Sequence, residues 1–213
     1  MKIAIYGATG MIGSRVLAEA LRRGHDVTAV VRDPKRVEVS SPKLTVTTGD
    51  ILDAKSVSAS VAGVDAVISA WGPGHSGDAG DFDKSTRALV EGLTAAGVKR
   101  LVMVGGAGSL EVAPGVQLVD TPEFPDAYKA PALAHRDVLK ALPVLAGSLD
   151  WTYVSPSAVI QPGERTGQFR LGTDTLLTDA DGQSRISAED FAIALIDEVE
   201  KSQYIKRRFT VGY

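Results

Sequence analysis

Gly7-Ala8-Thr9-Gly10-Met11-Ile12-Gly13 is the stretch of sequence that decides the fold. It lies between the apolar run 2–6, which predicts a strand, and residues 11–23, where apolar side chains recur at helical spacing. The first glycine permits a sharp turn off the strand, the second lets backbone N–H groups approach an anion, and the third permits close helix packing. The motif predicts a loop for the pyrophosphate of a dinucleotide, with a ligand-free tight turn as the alternative. The expected contacts are Gly7, Thr9, Gly10, Met11, Ile12 and Gly13.

The remaining sequence alternates short apolar runs with helical segments, which is the pattern of βαβ units on a parallel sheet. Further strands are predicted at residues 26–31, 43–47, 65–69, 100–104, 151–154 and 209–211. Further helices are predicted at residues 54–60, 82–96, 130–142 and, after a cap at Ser187, up to 201. The predicted architecture is α/β: a Rossmann-type, doubly wound, mostly parallel sheet with helices on both faces. We expect one domain over residues 1–213, with a small C-terminal portion on the substrate side.

The hydrophobic pattern is less regular in the second half of the chain. Residues 111–127 contain three prolines and no clear period, so we expect an irregular loop that helps to build the substrate pocket. Pro131 falls in the first turn of the helix predicted at 130–142, where a proline is tolerated.

Composition excludes several classes of function. The 213 residues include no cysteine, so disulfides, thiol chemistry and cysteine-bound metals are impossible. The three histidines, His25, His75 and His135, are far apart in sequence, and we expect no metal site. A formal net charge of −3 argues against nucleic acid as a partner, and no apolar run reaches the roughly 18 residues that span a membrane. Because the chain enters a strand at once, without a signal peptide, we expect a cytoplasmic protein, monomeric or homodimeric.

The residues after the second predicted strand bear on which dinucleotide binds. An acid there would accept a hydrogen bond from the ribose 2′-hydroxyl of NAD, whereas a basic group would pair with the 2′-phosphate of NADP. Arg32 and Arg36 follow the strand, and arginine binds phosphate through two donors at once. We therefore expect NADP. Asp33, about 20 residues after Gly13, has the spacing of a ribose-binding acid and keeps NAD as the alternative.

The glycine loop has one residue more between its first two glycines than the common G-x-G-x-x-G motif. That spacing resembles the short-chain dehydrogenase/reductase superfamily, in its extended and atypical branches. Gly49-Asp50-Ile51-Leu52-Asp53 also looks like the adenine-side motif of that superfamily. The resemblance implies that Asp50 contacts the adenine amino group and that Ile51 lines its ring. The alternative is a turn at the strand end in which Asp53 caps the next helix, and both can hold together.

The sequence lacks a Tyr-x-x-x-Lys pair. Most members of this superfamily carry this catalytic pair on one helix face. The residues four positions after Tyr6, Tyr128, Tyr153 and Tyr204 are Gly10, Ala132, Ser157 and Arg208. In that pair the lysine lowers the pKa of the tyrosine, which then moves a proton. Its absence argues against alcohol dehydrogenation and sugar epimerisation, and it leaves acceptors such as flavins and quinones, whose proton can come from solvent.

Several segments narrow the resemblance. Residues 149–156, 163–167, 184–192 and 208–211 look like an NAD(P)H-binding group named NADH-flavin reductases, which is similar to flavin reductase/biliverdin-IXβ reductase and to NmrA-like proteins. The resemblance implies an NAD(P)H-dependent reductase acting on a flavin, a quinone or a similar flat acceptor. A redox sensor without turnover is the first alternative, and a dehydrogenase or epimerase with a substitute acid is the second.

By the same resemblance, the nicotinamide lies at the carboxyl ends of the central strands. The expected neighbours are Ser69, Ala70, Trp71, Gly72, Gly105 and Pro156. A core or lid aromatic is the alternative for Trp71. Because Gly105-Gly106-Ala107-Gly108 are all small, we expect open space above the nicotinamide ring.

Three side chains are candidates for contact with the substrate. Ser109 is near the place of the catalytic serine of the superfamily, although a turn serine bonded to the local backbone is the alternative. His135, on the helix that would carry the missing pair, could donate a proton or bond to ribose or substrate, with a surface or capped histidine as the alternative. Tyr128 could cover the ring from the loop side. His75 is given no role.

Overall fold

The computed structural model describes residues 1–72 and 78–213, so His75 lies outside the described residues. In chain order the strands are β1 (Lys2–Tyr6), β2 (Asp26–Val31), β3 (Leu44–Thr48), β4 (Ala66–Ser69), β5 (Arg100–Val104), β6 (Glu111–Ala113), β7 (Val116–Gln117), β8 (Asp150–Ser155), β9 (Val159–Gln161), β10 (Arg170–Gly172), β11 (Arg185–Ser187) and β12 (Arg207–Gly212). The helices are α1 (Met11–Arg22), α2 (Ala54–Ser60), α3 (Gly80–Ala96), α4 (Asp126–Leu145) and α5 (Ala188–Lys201).

One eight-stranded sheet has the order β3-β2-β1-β4-β5-β8-β12-β10. Its strands pair in parallel except for β10, which runs antiparallel along the edge of β12. The chain builds outward from β1 to β3 and then returns to place β4 on the other side of β1. The strand order therefore reverses between β1 and β4, and open α/β sheets bind their ligands at such a point. The predicted doubly wound Rossmann fold is confirmed.

Apolar side chains cover both faces of this sheet. Alternate residues of β1 point to opposite sides: Ile3 and Ile5 join one core cluster with α1 and α5, and Ala4 and Tyr6 join another with α2, α3 and α4. Both faces of β4 and β5 are buried, as their continuous apolar sequences predict. In the part of the chain that the structure describes, no helix is long and apolar enough to cross a membrane.

The regular first half forms close to the predicted bounds, whereas the second half departs from them. The helix predicted at 130–142 is wrong at both ends, because α4 begins after Pro125 and includes Pro131 and Pro143 in its interior. The loop predicted at 111–127 contains the hairpin β6–β7 and a short 3₁₀ turn, and it is anchored by the buried Val119. The short strands β9, β10 and β11 were not predicted, because each has only three residues and depends on a distant partner.

The start of α5 is formed as the sequence predicts. The hydroxyl of Ser187 accepts a hydrogen bond from the backbone N–H of Asp190 at 3.0 Å, which is an N-terminal cap. The Asp190 carboxylate is itself completely buried and accepts bonds from the Thr166 hydroxyl, the Gly167 backbone and the Tyr213 hydroxyl. The cap therefore also ties the loop after β9 and the end of β12 to α5.

A buried ion pair joins the sheet to α5 at the end remote from the glycine loop. Arg100, at the start of β5, donates to the Glu198 carboxylate at 2.6 Å and also to Thr152 on β8. The carboxylate accepts further bonds from the Thr152 hydroxyl and from the backbone of Tyr204. Because both charges are buried, each depends on the other to offset the loss of hydration.

We expect Glu198→Ala to lower the free energy of unfolding by about 3–5 kcal/mol, because it leaves the Arg100 charge buried without a partner. Asp83→Ala is the matched control, since it removes an exposed ion pair with Arg87 and should cost about 0.5 kcal/mol or less. Urea denaturation of the three proteins measures both values. Equal losses for the two variants would contradict the interpretation.

Candidate dinucleotide site

A pocket of about 360 Å³ opens where the strand order reverses. It is lined by Tyr6, Gly7, Thr9, Val30, Val31, Arg32, Asp33, Arg36, Gly49, Ile51 and Trp71. These residues come from the glycine loop and from the carboxyl ends of β1, β2, β3 and β4. The structure thus brings together four regions that the sequence predicts to bind one dinucleotide.

The three glycines of the loop are required for different steric reasons. Gly7 has a φ of +77°, and a β-carbon there would lie 2.5 Å from the Ala70 carbonyl oxygen, so the turn requires glycine. A β-carbon on Gly13 would lie 2.0 Å from the Gly7 carbonyl oxygen, which explains how closely α1 approaches the turn. At Gly10 the nearest atom is the Gly7 carbonyl oxygen at 3.3 Å, so a methyl group there would meet little of the protein. Gly10 therefore leaves space on the outer side of the loop.

The N-terminus of α1 offers donors to this space. Its cap residue, Gly10, has no side chain to accept a bond, and its first turn contains no acidic residue. The first N–H groups of an α-helix have no partner within the helix. With the positive end of the helix dipole, they form a binding site for an anion, and a pyrophosphate group fits this chemistry.

The basic residues after β2 lie on the same pocket. Arg32 and Arg36 are exposed, and within the described ranges 1–72 and 78–213 neither side chain makes a hydrogen bond or an ion pair. Asp33 also lines the pocket, but one of its carboxylate oxygens caps the 3₁₀ turn Pro34–Arg36 by accepting from the Lys35 N–H at 3.1 Å. Two guanidinium groups without a partner among the described residues and one partly engaged carboxylate therefore line the pocket.

A second recess, of about 490 Å³, lies beside the pocket and shares Thr9 and Arg36 with it. Lys35 and Ser14 are also on its wall. The charged rim of the site therefore continues past Arg36 toward the first turns of α1.

The turn after β3 both lines the pocket and caps α2. Ile51 is nearly buried and lines the pocket. The Asp53 carboxylate caps α2 by accepting from the N–H groups of Lys55 and Ser56. One oxygen of Asp50 accepts from the Leu52 N–H at 2.9 Å, so the carboxylate is exposed but partly engaged in the turn. The contact of Asp50 with adenine stays a prediction.

The end of β4 reaches the site through Trp71, which is half-buried and lines the pocket. Ser69 is buried, and the Ala70 backbone forms the surface against which Gly7 packs. Gly72 is exposed, and Pro156 is buried directly after β8. Trp71 is therefore the residue of this predicted group that the structure places on the pocket wall.

The small residues of the loop after β5 are explained by packing on the protein, and the open space expected above a nicotinamide ring stays a prediction. A β-carbon on Gly105 would lie 2.0 Å from the Tyr153 ring, and one on Gly106 would lie 3.3 Å from the side chain of His135. A β-carbon on Gly108 would lie 2.8 Å from that of Ala132. These glycines are small because the loop packs directly on Tyr153 and α4. Ala132 is the position four after Tyr128, and this contact leaves no room there for a lysine.

His135 is held in a buried network. Its ring packs on Phe82 with a centroid distance of 3.9 Å, and its Nδ1 atom lies 3.3 Å from the Tyr153 hydroxyl. Burial lowers the pKa of His135 to about 4, so the imidazole is neutral at pH 7. Burial also raises the pKa of the Tyr153 phenol, although the Gly106 N–H and the charge of Arg208 oppose that shift. Tyr153 was missed because it reads as one more apolar position in a buried strand.

The other two candidates for substrate contact differ in exposure. Ser109 is buried, and its hydroxyl and carbonyl oxygens both accept from Arg208, at 2.8 Å and 3.0 Å. Arg208 also binds the Asp174 carboxylate, at 2.5 Å. Tyr128 is about half exposed in the first turn of α4. Arg208 is not among the site residues predicted from the sequence. The one feature that could have indicated it is a charged residue directly before the apolar run of the last strand.

Residues 7–201 match a protein family described as NAD(P)H-binding. A Burkholderia pseudomallei structure described as a candidate exported protein is 52% identical, with a TM-score of 0.91 and 100% of each chain covered. A Bacteroides thetaiotaomicron structure described as a candidate epimerase is 40% identical, with a TM-score of 0.92 and coverage of 100% of this chain and 96% of that one. A Streptococcus pneumoniae structure described as a candidate NADH-flavin reductase is 36% identical, with a TM-score of 0.86 and coverage of 100% and 99%.

These three descriptions differ in activity and in location, so the cytoplasmic location stays a prediction. What they share with this chain is the whole fold, and the segment that matches the family begins at the glycine loop. The resemblance to atypical short-chain dehydrogenase/reductases is confirmed, and the chain belongs to the NAD(P)H-binding family.

Proposed function

We propose that this protein is an NAD(P)H-dependent oxidoreductase that reduces a flavin, a quinone or a similar flat acceptor. The observation that supports nicotinamide binding is the pocket at the strand reversal. There the glycine loop and two arginines without partners among the described residues line one space. The relative described as a candidate NADH-flavin reductase supports the choice of acceptor.

A bound nicotinamide would supply the hydride. The protein's own residues bind and orient: the glycine loop and the start of α1 hold the pyrophosphate, and Ile51 and Trp71 offer apolar surface to the flat groups. Without a Tyr-x-x-x-Lys pair, the chain has no phenol activated by a lysine on the same helix face. His135 is neutral at pH 7 and is a poor substitute acid, which disfavours the epimerase alternative. The proton that accompanies the hydride therefore comes from solvent.

We further propose that NADP is preferred to NAD. Arg32 and Arg36 have no competing acidic partner in the described part of the chain, so both can bind a 2′-phosphate. Asp33 would instead repel a phosphate, but one of its oxygens is engaged with the Lys35 backbone. Two unpaired cations outweigh one partly engaged carboxylate.

The Gly10→Ala variant tests the site of pyrophosphate binding. The added methyl group has only the Gly7 carbonyl oxygen within 3.4 Å, so the fold should be kept, while the methyl occupies the space of the anion. We expect the Kd for NADPH, measured by fluorescence titration, to rise about tenfold or more. Gly147→Ala is the matched control, because its methyl would lie 3.2 Å from the Pro143 carbonyl oxygen, remote from the pocket. An equal rise in the Kd for NADPH in both variants would contradict the assignment of the pyrophosphate to this loop.

The double variant Arg32→Ala/Arg36→Ala tests the choice of dinucleotide. Loss of two charged contacts to the 2′-phosphate should raise the Kd for NADPH about tenfold or more and leave the Kd for NADH nearly unchanged. Parallel titration with the two dinucleotides measures the difference, and NADH serves as the internal control. If the Kd rises equally for both dinucleotides, or for neither, these arginines do not bind the 2′-phosphate.

Oxidation of NADPH at 340 nm, followed with a panel of flavins and quinones, tests the reductase against the sensor. We expect steady turnover with at least one flat acceptor and none with simple aldehydes or ketones, because the phenol–lysine proton relay is missing. Tight NADPH binding without oxidation of any acceptor would support the redox sensor instead.

A further inference from the structure

Tyr153 and His135 meet directly beneath the loop that follows β5. The Tyr153 hydroxyl, which is fully buried, donates to the backbone carbonyl of His135 at 3.0 Å and accepts from the Gly106 N–H at 3.4 Å. The same oxygen lies 3.3 Å from Nδ1 of His135. Three groups therefore share one phenol oxygen, which has only one proton to give.

These distances favour one direction for each hydrogen bond. The His135 carbonyl oxygen is the nearer acceptor, at 3.0 Å against 3.3 Å for Nδ1, so the phenol donates to the carbonyl and Nδ1 donates to the phenol. A neutral imidazole has a single N–H, so Nε2 is then a bare acceptor. Burial keeps the ring neutral at pH 7 by lowering its pKa to about 4. Within the described part of the chain, Nε2 has no hydrogen-bond partner.

The position of His135 makes this acceptor accessible to a ligand. Tyr128, Ala132 and His135 follow one another at four- and three-residue spacing, so they share one face of α4. The ring lies between Phe82 and Gly106, at the carboxyl end of the central strands, and is only partly buried. This is the edge of the sheet at which ligands of open α/β folds bind.

We propose that Tyr153 positions His135 as a hydrogen-bond acceptor, so that Nε2 binds a ligand presenting an N–H or O–H donor. The inference rests on the proposed function, which supplies two such donors: a hydroxyl of the nicotinamide-side ribose and the imide N–H of a flavin. An oxidised quinone without hydroxyl groups has no donor. If the flavin is the ligand at His135, the site selects flavins over quinones.

The tautomer of His135 is the first test, and it does not depend on turnover. Two-dimensional ¹H–¹⁵N spectra of the imidazoles, with His135→Gln to assign the signals, should show a protonated Nδ1 and an unprotonated Nε2 from pH 6 to 8. Tyr153→Phe, which keeps the ring and removes the acceptor, should shift the population toward the Nε2–H form. A wild-type protein with the Nε2–H form, or with no response to Tyr153→Phe, would overturn the proposal.

The ligand is the second test. His135→Leu removes the acceptor, and His135→Gln offers a carbonyl oxygen in its place. If the ribose is the donor, His135→Leu should raise the Kd for NADPH about tenfold, with partial rescue by His135→Gln. If the flavin is the donor, the KM for lumiflavin should rise in His135→Leu, and wild-type protein should discriminate similarly against 3-methyllumiflavin.

These outcomes separate the inference from the proposed function. If no acceptor is reduced but NADPH binding weakens in His135→Leu and the Nδ1–H tautomer is found, the reductase fails and the inference stands. If NADPH binding and flavin kinetics are both unchanged in His135→Leu, the inference fails whatever the protein reduces.

Discussion

The backbone of Gly7 packs against the backbone of Ala70 so closely that no β-carbon fits between them. Through this contact the exit of β1 meets the exit of β4, the two strands between which the sheet order reverses. The same turn receives α1, because Gly13 in turn packs on the Gly7 carbonyl. The anion site is thus a consequence of the approach of three backbone segments. A larger residue at Gly7 would push β1 away from the end of β4, and one at Gly13 would push the start of α1 away from the turn.

The glycine-rich loops after β1 and after β5 act in opposite ways. The loop of Gly7 to Gly13 creates space on its outer side, where the helix donors are unpaired. The loop of Gly105 to Gly108 removes space, because each missing side chain is replaced by Tyr153, His135 or Ala132. A glycine-rich strand end therefore does not by itself indicate an open site. Gly7 and Gly13 pack on backbone atoms as closely as Gly105 packs on Tyr153, and only at Gly10 does the absent β-carbon leave a volume that the rest of the protein does not occupy.

How much of the structure could be predicted from the sequence depends on how local each sequence signal is. The bounds of β1, α1, β2 and α2 could be predicted because apolar period, caps and glycines all lie within a few residues. The same holds for the grouping of Arg32, Arg36 and Ile51 around one pocket, since strand ends meet at one edge of a parallel sheet. The short strands β9 to β11 depend on partners that are distant in sequence. The first turn of α4 is exposed, so it carries no apolar period from which its start could be predicted. Tyr153 could not be recognised, because its function rests on a neighbour 18 residues away that a strand pattern does not show.

The charges around α4 also bear on the kind of acceptor. Tyr128, Ala132 and His135 themselves include no cation, since the lysine position is alanine and the imidazole is neutral, and the nearby Arg136 is paired with Asp120. Arg208, a partly buried cation on β12, is already paired with Asp174 and with Ser109. A carbonyl that receives a hydride becomes an alkoxide and needs a cation or an acid close by. A flavin or quinone instead spreads the added charge over a conjugated ring system, so the lack of an unpaired cation at these three positions fits the proposed class of acceptor.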